Sequence, residues 1–246
     1  MICSVNAQNH SQFLDYAKSL PAIGAILETN SSLFLEKQAL MQFYLCEQGA
    51  LMIKGSNATL AGKANPEELA SMLEFLGICS LKSLDTVPYK WNVCGKSLIM
   101  EYSPQNQKIN LPSMMTIEQS PSMADILQIV AQVGIEEQAA ENFYSETCTK
   151  RNHQKAEVWT ACLQGKPVAT AGAYAITETE VYLAGVVTLP EFRKQGIAGG
   201  LCSTLAEHFH QQGKKVTLMC DPQKENFYKR MGFFTAETLL ISCKDR

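Results

Sequence analysis

The chain has 246 residues, 46% of them apolar and 18% charged, with a net charge of -3 and no low-complexity run. That length exceeds the usual single domain of about 100 to 200 residues, so two domains or one elaborate one is expected. The charge is spread evenly, 8 basic against 9 acidic residues before Pro112 and 13 against 15 from there on, which excludes a basic surface for nucleic acid, and no apolar run approaches the roughly 18 residues of a membrane span.

Residues 11 to 20 predict a helix, with Ser11 as N-cap, a stripe of Phe13, Leu14, Ala17 and Leu20, and Pro21 as the stop. Short strands follow at Leu40 to Leu45, Ala50 to Ile53 and Ala58 to Ala61, separated by Glu47-Gln48-Gly49 and Gly55-Ser56-Asn57. Asn65 then reads as an N-cap with Pro66 at the first helical position. Glu67 and Glu68 suit the helix dipole, and Leu69, Met72, Leu73 and Leu76 form one face before Gly77. The polar, proline-bounded stretch Ser103 to Pro112 predicts a linker, dividing the chain into residues 1–105 and 112–246.

Beyond the linker, Met114 to Glu118 predicts a strand, and Ser120-Pro121 an N-cap and first position for a helix carrying Ile126, Ile129, Val130 and Val133. A second helix is expected from about Glu136 to Arg151. An antiparallel meander follows: Glu157 to Leu163, Val168 to Ile176 and Val181 to Thr188, with turns at 164–166 and 177–179. Leu189-Pro190-Glu191-Phe192 bends the chain into the loop Arg193-Lys194-Gln195-Gly196-Ile197-Ala198-Gly199-Gly200, and a helix carries Leu201, Leu205 and Phe209. Val216 to Met219 is an apolar strand, Asp221-Pro222 starts a helix holding Tyr228, and strand structure from Phe233 to Cys243 ends the chain.

A strand, a glycine-bearing loop and a helix in that order make a phosphate cradle. The first turn of a helix offers N–H groups with no internal partner, and the dipole adds roughly half a positive charge there. Small residues at Gly196, Ala198 and Gly199 let a diphosphate approach, and Arg193 and Lys194 add mobile positive charge. The Gly-Lys-Ser/Thr ending of Walker A and the three glycines of the dinucleotide fingerprint are both absent.

Arg193-x-x-Gly196-x-Ala198, preceded by Val187 to Phe192, resembles the acetyl-CoA signature of the GNAT superfamily of N-acetyltransferases, and Phe227-Tyr228-Lys229-Arg230-Met231-Gly232-Phe233 resembles that family's later helix-to-strand segment. The resemblance covers most of residues 112–246 and implies an α/β fold of the α+β kind, a mixed, mostly antiparallel sheet flanked by helices. The order of helix, meander and helix in residues 1–105 resembles in outline a second, degenerate GNAT half-copy, as in tandem members. Ala61 to Pro66 there carries no signature loop, so no CoA is expected in that half, whose work is read as packing, dimerisation or one wall of an acceptor cleft.

The resemblance implies acetyl-CoA as acetyl donor, its pantetheine arm bonded to the backbone of Val186, Val187 and Thr188. The pyrophosphate would lie on Lys194, Gln195, Gly196, Ile197, Ala198 and Gly199, beside Arg193. Direct transfer to a primary amine of a small molecule or peptide needs no cysteine nucleophile, and Tyr228, at the position of the family's tyrosine, would protonate the departing thiolate. Glu180 or water is the candidate base. The family's asparagine seven residues before that tyrosine is Asp221 here. A non-catalytic acyl-CoA sensor is the other reading, and a homodimer is left open. No metal is expected: the nine cysteines show no Cys-x-x-Cys spacing and read as reduced thiols, and His208 and His210 point to different faces of one helix. Without a basic start or hydrophobic core at the N-terminus, the cytoplasm is the expected location.

Overall fold

The computed structural model describes residues 1–104, 109, 111–132 and 137–244. The predicted linker residues 105–108 and 110, and helix residues Val133 and Glu136, lie outside these. The chain forms two compact units: residues 1–99 with 219–223 and 235–246, and residues 100–218 with 224–234.

The first unit begins with strand β1 (Cys3–Ser4) and helices α1 (His10–Ala17) and α2 (Ile23–Phe34), followed by β2 (Gln42–Cys46), β3 (Gln48–Lys54) and β4 (Asn57–Lys63). Helix α3 (Pro66–Phe75) crosses over to β5 (Ser80–Ser83), which runs parallel to β4 with Asn57, Ala58 and Thr59 opposite Ser80, Leu81 and Lys82. Strand β6 (Asn92–Tyr102) lies in this unit up to Ile99. The last strand of the chain, β12 (Phe233–Cys243), is in this unit from Thr235 on, pairing Leu240 to Cys243 antiparallel with Ser83 to Ser80. The strand order is β1-β2-β3-β4-β5-β12-β6. Leu51, Leu60, Leu69, Leu73, Leu81 and Trp91 form its core between α3 and the sheet.

Helix α3 starts as its sequence dictates. The Asn65 side chain accepts hydrogen bonds from the backbone N–H groups of Glu67 and Glu68, and Pro66 occupies the first helical position. Helix α1 ends at Ala17, ahead of Pro21, and a second helix that the sequence reading did not predict, α2, starts at Ile23. Its Thr29-Asn30-Ser31 run is buried, which hides the helix from an apolar-periodicity reading. The polar groups are partly matched inside: Ser31 Oγ lies 2.8 Å from His10 Nε2, and Asn30 Nδ2 donates to Met52 Sδ at 3.4 Å. Burial depresses the His10 imidazole below its usual range, with Glu28 opposing.

The second unit repeats the plan: β7 (Met115–Glu118), helices α4 (Met123–Ala131) and α5 (Glu137–Asn152), then β8 (Glu157–Leu163), β9 (Lys166–Ile176) and β10 (Glu180–Thr188). Helix α6 (Ile197–Gln211) crosses over to β11 (Lys215–Cys220), and the short α7 (Glu225–Lys229) follows. The strands run β11-β10-β9-β8-β7, antiparallel except for β10 beside β11. The tight β8–β9 hairpin turns at Gln164 and Gly165, both at positive φ, the backbone that a two-residue primed turn requires. Helix α4 starts two residues later than the sequence predicts. Ser122, not Ser120, is the N-cap, its Oγ accepting from the Asp125 N–H at 3.1 Å.

The reading of nine reduced thiols is corrected at one pair. Cys94 on β6 and Cys243 on β12 are joined as a disulfide, 149 residues apart in sequence with Cα atoms 5.9 Å apart. Their adjacency arises from strand order and leaves no trace in sequence spacing. Cys46, Cys162, Cys202 and Cys220 are free and buried, as small hydrophobes.

Candidate functional site

The predicted site residues all lie in the second unit, around the end of β10. Its parallel register with β11 covers Glu180 to Leu183 against Lys215 to Leu218. Past that point the pairing of β10 is with β9, at Val187 to Thr170 and Thr188 to Ala169. Between Ala184 and Val187 the β9–β10 register shifts by one residue, a bulge in which Gly185 has φ +63°. Residues 184 to 187 are half-buried in succession, replacing the alternation expected of a paired strand. Gly185 and Val186 thus stand outside the β9 register, while Val187 rejoins it opposite Thr170.

The chain then bends through a single 3-10 turn, Pro190–Phe192, into the loop. Lys194 and Gly196 both have positive φ, +62° and +79°. Gly196 is the N-cap of α6 and makes no side-chain cap hydrogen bond, so the first-turn N–H groups, from Ile197 on, have no cap from it. Among the described residues nothing lies within 4 Å of where a Cβ on Gly196 would stand, so that face of the loop is open to them. Lys194 and Gln195 are exposed, Ala198 is half-buried, and Ile197 is buried and anchors the turn in the core.

Arg193 is not the mobile charge expected from sequence. Its Nε donates to the Thr188 carbonyl at 3.1 Å, tying the loop back to the strand end. Gln195 does the same at 3.3 Å to the Glu191 carbonyl. Gly200 is small for a different reason than phosphate approach: a Cβ there would stand 2.8 Å from the Leu111 backbone nitrogen, so the incoming chain crosses α6 at this point.

Tyr228 is buried on α7, its ring edge-on to Phe227 at 5.0 Å and to Phe233 at 6.0 Å. The helix end lies beside the loop, since Met231 Sδ would be 3.9 Å from a Cβ on Gly199. Glu180 stands at the far, paired end of β10 opposite Lys215, where its Oε1 accepts from Thr217 Oγ1 at 2.8 Å. Asp221 Oδ1 accepts from the Gln223 N–H at 2.7 Å, which opens the turn before α7.

Three features were not singled out from sequence. Tyr174, on β9, leans on the bulge of β10. Lys150 and Glu146 form a pair at 2.6 Å on α5 with side chains only 5% and 15% exposed. Trp159 Nε1 donates to Glu157 Oε1 at 2.6 Å beneath His208, whose ring is 5.1 Å from that of Trp159. Glycines inside predicted strands, Gly172 and Gly185, were the available signal for the bulge. His210 packs on Tyr102 instead, so the two histidines do face apart, and among the described residues no group of acidic, histidine or cysteine side chains is placed to hold a metal. Burial pushes the Cys202 thiol on α6 up to about 12, far from nucleophilic at neutral pH. No helix among the described residues is long and apolar enough to cross a membrane.

Residues 121–233 match the Acetyltransferase (GNAT) family. No curated protein matches the chain. Among solved structures, a GCN5-related N-acetyltransferase from Kribbella flavida is similar at 16% identity and TM-score 0.64, over 94% of this chain and 96% of that one. A GNAT-family acetyltransferase from Colwellia psychrerythraea aligns over all of both chains at 14% identity and TM-score 0.62. A tandem GNAT protein from the clavulanic acid biosynthesis pathway aligns over 98% of this chain and 97% of its own at 10% identity and TM-score 0.63. Residues 121–233 are thus a GNAT acetyltransferase domain, in a chain whose full length has the fold of tandem GNAT proteins.

Proposed function

We propose that this chain is an acetyl-CoA-dependent N-acetyltransferase, passing acetyl directly from CoA to a primary amine of a small molecule or peptide. The observation that carries the reading is the pairing, in one unit, of a bulged strand end at Val186 to Thr188 with an uncapped α6 start behind Arg193-x-x-Gly196-x-Ala198. The strand backbone suits the amide-bearing pantetheine arm, and the α6 start with Lys194 suits the pyrophosphate. The amine nitrogen attacks the thioester carbonyl carbon while backbone N–H near Val186 holds the developing oxyanion. The C–S bond breaks, the thiolate takes the phenolic proton of Tyr228, and the proton that the former amine nitrogen sheds goes through water to restore the phenol.

The amine must shed its proton to water or a base. For a lysine-like amine, reaching the neutral form at pH 7 costs about 4 to 5 kcal/mol. Glu180 is held by Thr217 at the paired end of the strand, so water is the simpler proton acceptor.

Calorimetric titration with acetyl-CoA tests the reading. Micromolar binding is expected, abolished by Gly196→Glu, which places a carboxylate and a Cβ where φ is +79°. Tyr228→Phe is expected to keep binding and to lower kcat by 10²-fold or more, on the order of a lost general acid. Binding without turnover in any amine screen would leave the sensor reading, and no binding by the wild type removes both.

A further inference from the structure

Tyr174 is where β9 itself bulges. Tyr182 of β10 faces Ala175 and Leu183 faces Ala173, so Tyr174 is the extra residue between them. Two residues later along β10 comes the second bulge, at Gly185 and Val186. Bulges bend a strand and re-aim its side chains, and here the Tyr174 ring turns onto both neighbouring glycines. A Cβ on Gly172 would stand 2.7 Å from its Cε2, and one on Gly185 would stand 2.7 Å from Cε2 and 2.8 Å from the hydroxyl oxygen. A Cβ at either glycine, on two paired strands, would press on the same aromatic ring, and the ring's oxygen stands over Gly185.

The rest of the ring is packed against Phe143 of α5, with centroids 5.7 Å apart, and against the cluster of Ile126, Val130 and Val158. The hydroxyl oxygen is sealed from solvent and has no hydrogen-bond partner among the described residues. A buried phenol left unmatched is costly, and most such groups in folded proteins find a partner. Burial also raises its pKa well above the ordinary tyrosine range, with Arg151 opposing and Glu146 adding to the rise. The group therefore stays protonated and offers a hydrogen bond at all physiological pH values.

We propose that the Tyr174 hydroxyl donates a hydrogen bond to the carbonyl oxygen of the bound acetyl thioester, as a side-chain donor beside the backbone N–H groups at the bulge. The inference rests on the acetyl-CoA reading above. Tyr174 keeps its proton throughout, and the proton for the thiolate comes from Tyr228. The contact concerns the acyl carbonyl, as the backbone N–H contact at the bulge does, so it helps to separate acetyl-CoA from CoA, which keeps only the pantetheine and pyrophosphate contacts.

Tyr174→Phe removes only the oxygen. The ligand-free variant should melt higher than wild type by a few degrees, because an unmatched buried hydroxyl is gone. It should bind CoA as wild type does and acetyl-CoA roughly tenfold more weakly, the loss of one hydrogen bond. In the wild-type chain labelled with 13C at tyrosine Cζ, one resonance, absent from the variant, should shift with acetyl-CoA and not with CoA. Equal acetyl-CoA affinity in variant and wild type, or no acetyl-specific shift, overturns the proposal. Wild type binding neither ligand overturns it together with the acetyl-CoA reading, an outcome visible before the variant is made.

Discussion

Lys150 and Glu146 show what an individual residue pair conceals in sequence. Spaced i, i+4 on a polar helix, they read as one of many solvated pairs worth a few tenths of a kcal/mol. Packing makes them different, because Lys150 is 4% exposed and its ammonium meets Glu146 Oε1 at 2.6 Å. Removing one member of a buried pair leaves its partner's charge poorly compensated. Lys150→Met should therefore cost about 3 kcal/mol in urea unfolding, and Glu146→Leu added to it should restore much of that loss. An additive double variant would show that the pair is not coupled. Tyr174 and Tyr228 belong to the same scale. The second was legible through its motif, while the first depended on a one-residue register shift that no spacing rule announces.

At the scale of elements, local chemistry was the most readable part. The Asn65-Pro66 start of α3, the β8–β9–β10 meander and the loop into α6 stand where turn, cap and periodicity signals put them. The comparison of α3 with α6 explains why one half carries a candidate CoA site. In α3 the Asn65 carboxamide oxygen already takes two first-turn N–H groups and Glu67 and Glu68 repel an anion, and β4 pairs with β3 without a break from Asn57 to Lys63. In α6 the start is uncapped and the preceding strand is bulged. Neighbouring glycines of α6 should respond differently to substitution. Gly200→Ala collides with the Leu111 backbone at 2.8 and 2.9 Å and should destabilise by about 1 to 3 kcal/mol. Among the described residues Gly199→Ala meets only the Ile109 and Met231 side chains, at 3.6 and 3.9 Å, and should gain up to about 1 kcal/mol of helix propensity. Chemical denaturation of the two variants checks the order, and equal effects would remove the role given to Leu111.

For the whole molecule, sequence copies and spatial units are different things. Residues 1–105 and 112–246 are our proposed division of the sequence into copies, yet the final strand, from Thr235, counts with the first unit through its pairing to β5 and the Cys94–Cys243 bond. A fragment of residues 1–105 lacks the strand that stands between β5 and β6. Expressed alone, it should show a broad, non-cooperative melt by circular dichroism and low amide protection in β5 and β6. A cooperative, protected fragment would show that the strand is dispensable.

The sequence by itself determined the meander, the glycine loop, the capped start of α3 and the family-like motif, because each rests on backbone conformation or capping within a few residues. The tertiary structure alone decided the β9 and β10 bulges, the burial of Lys150 and Tyr174, the tethering of Arg193 to Thr188, and the membership of β12. Those depend on which strands and helices meet, and contacts between residues far apart in the chain impose no local pattern on either partner.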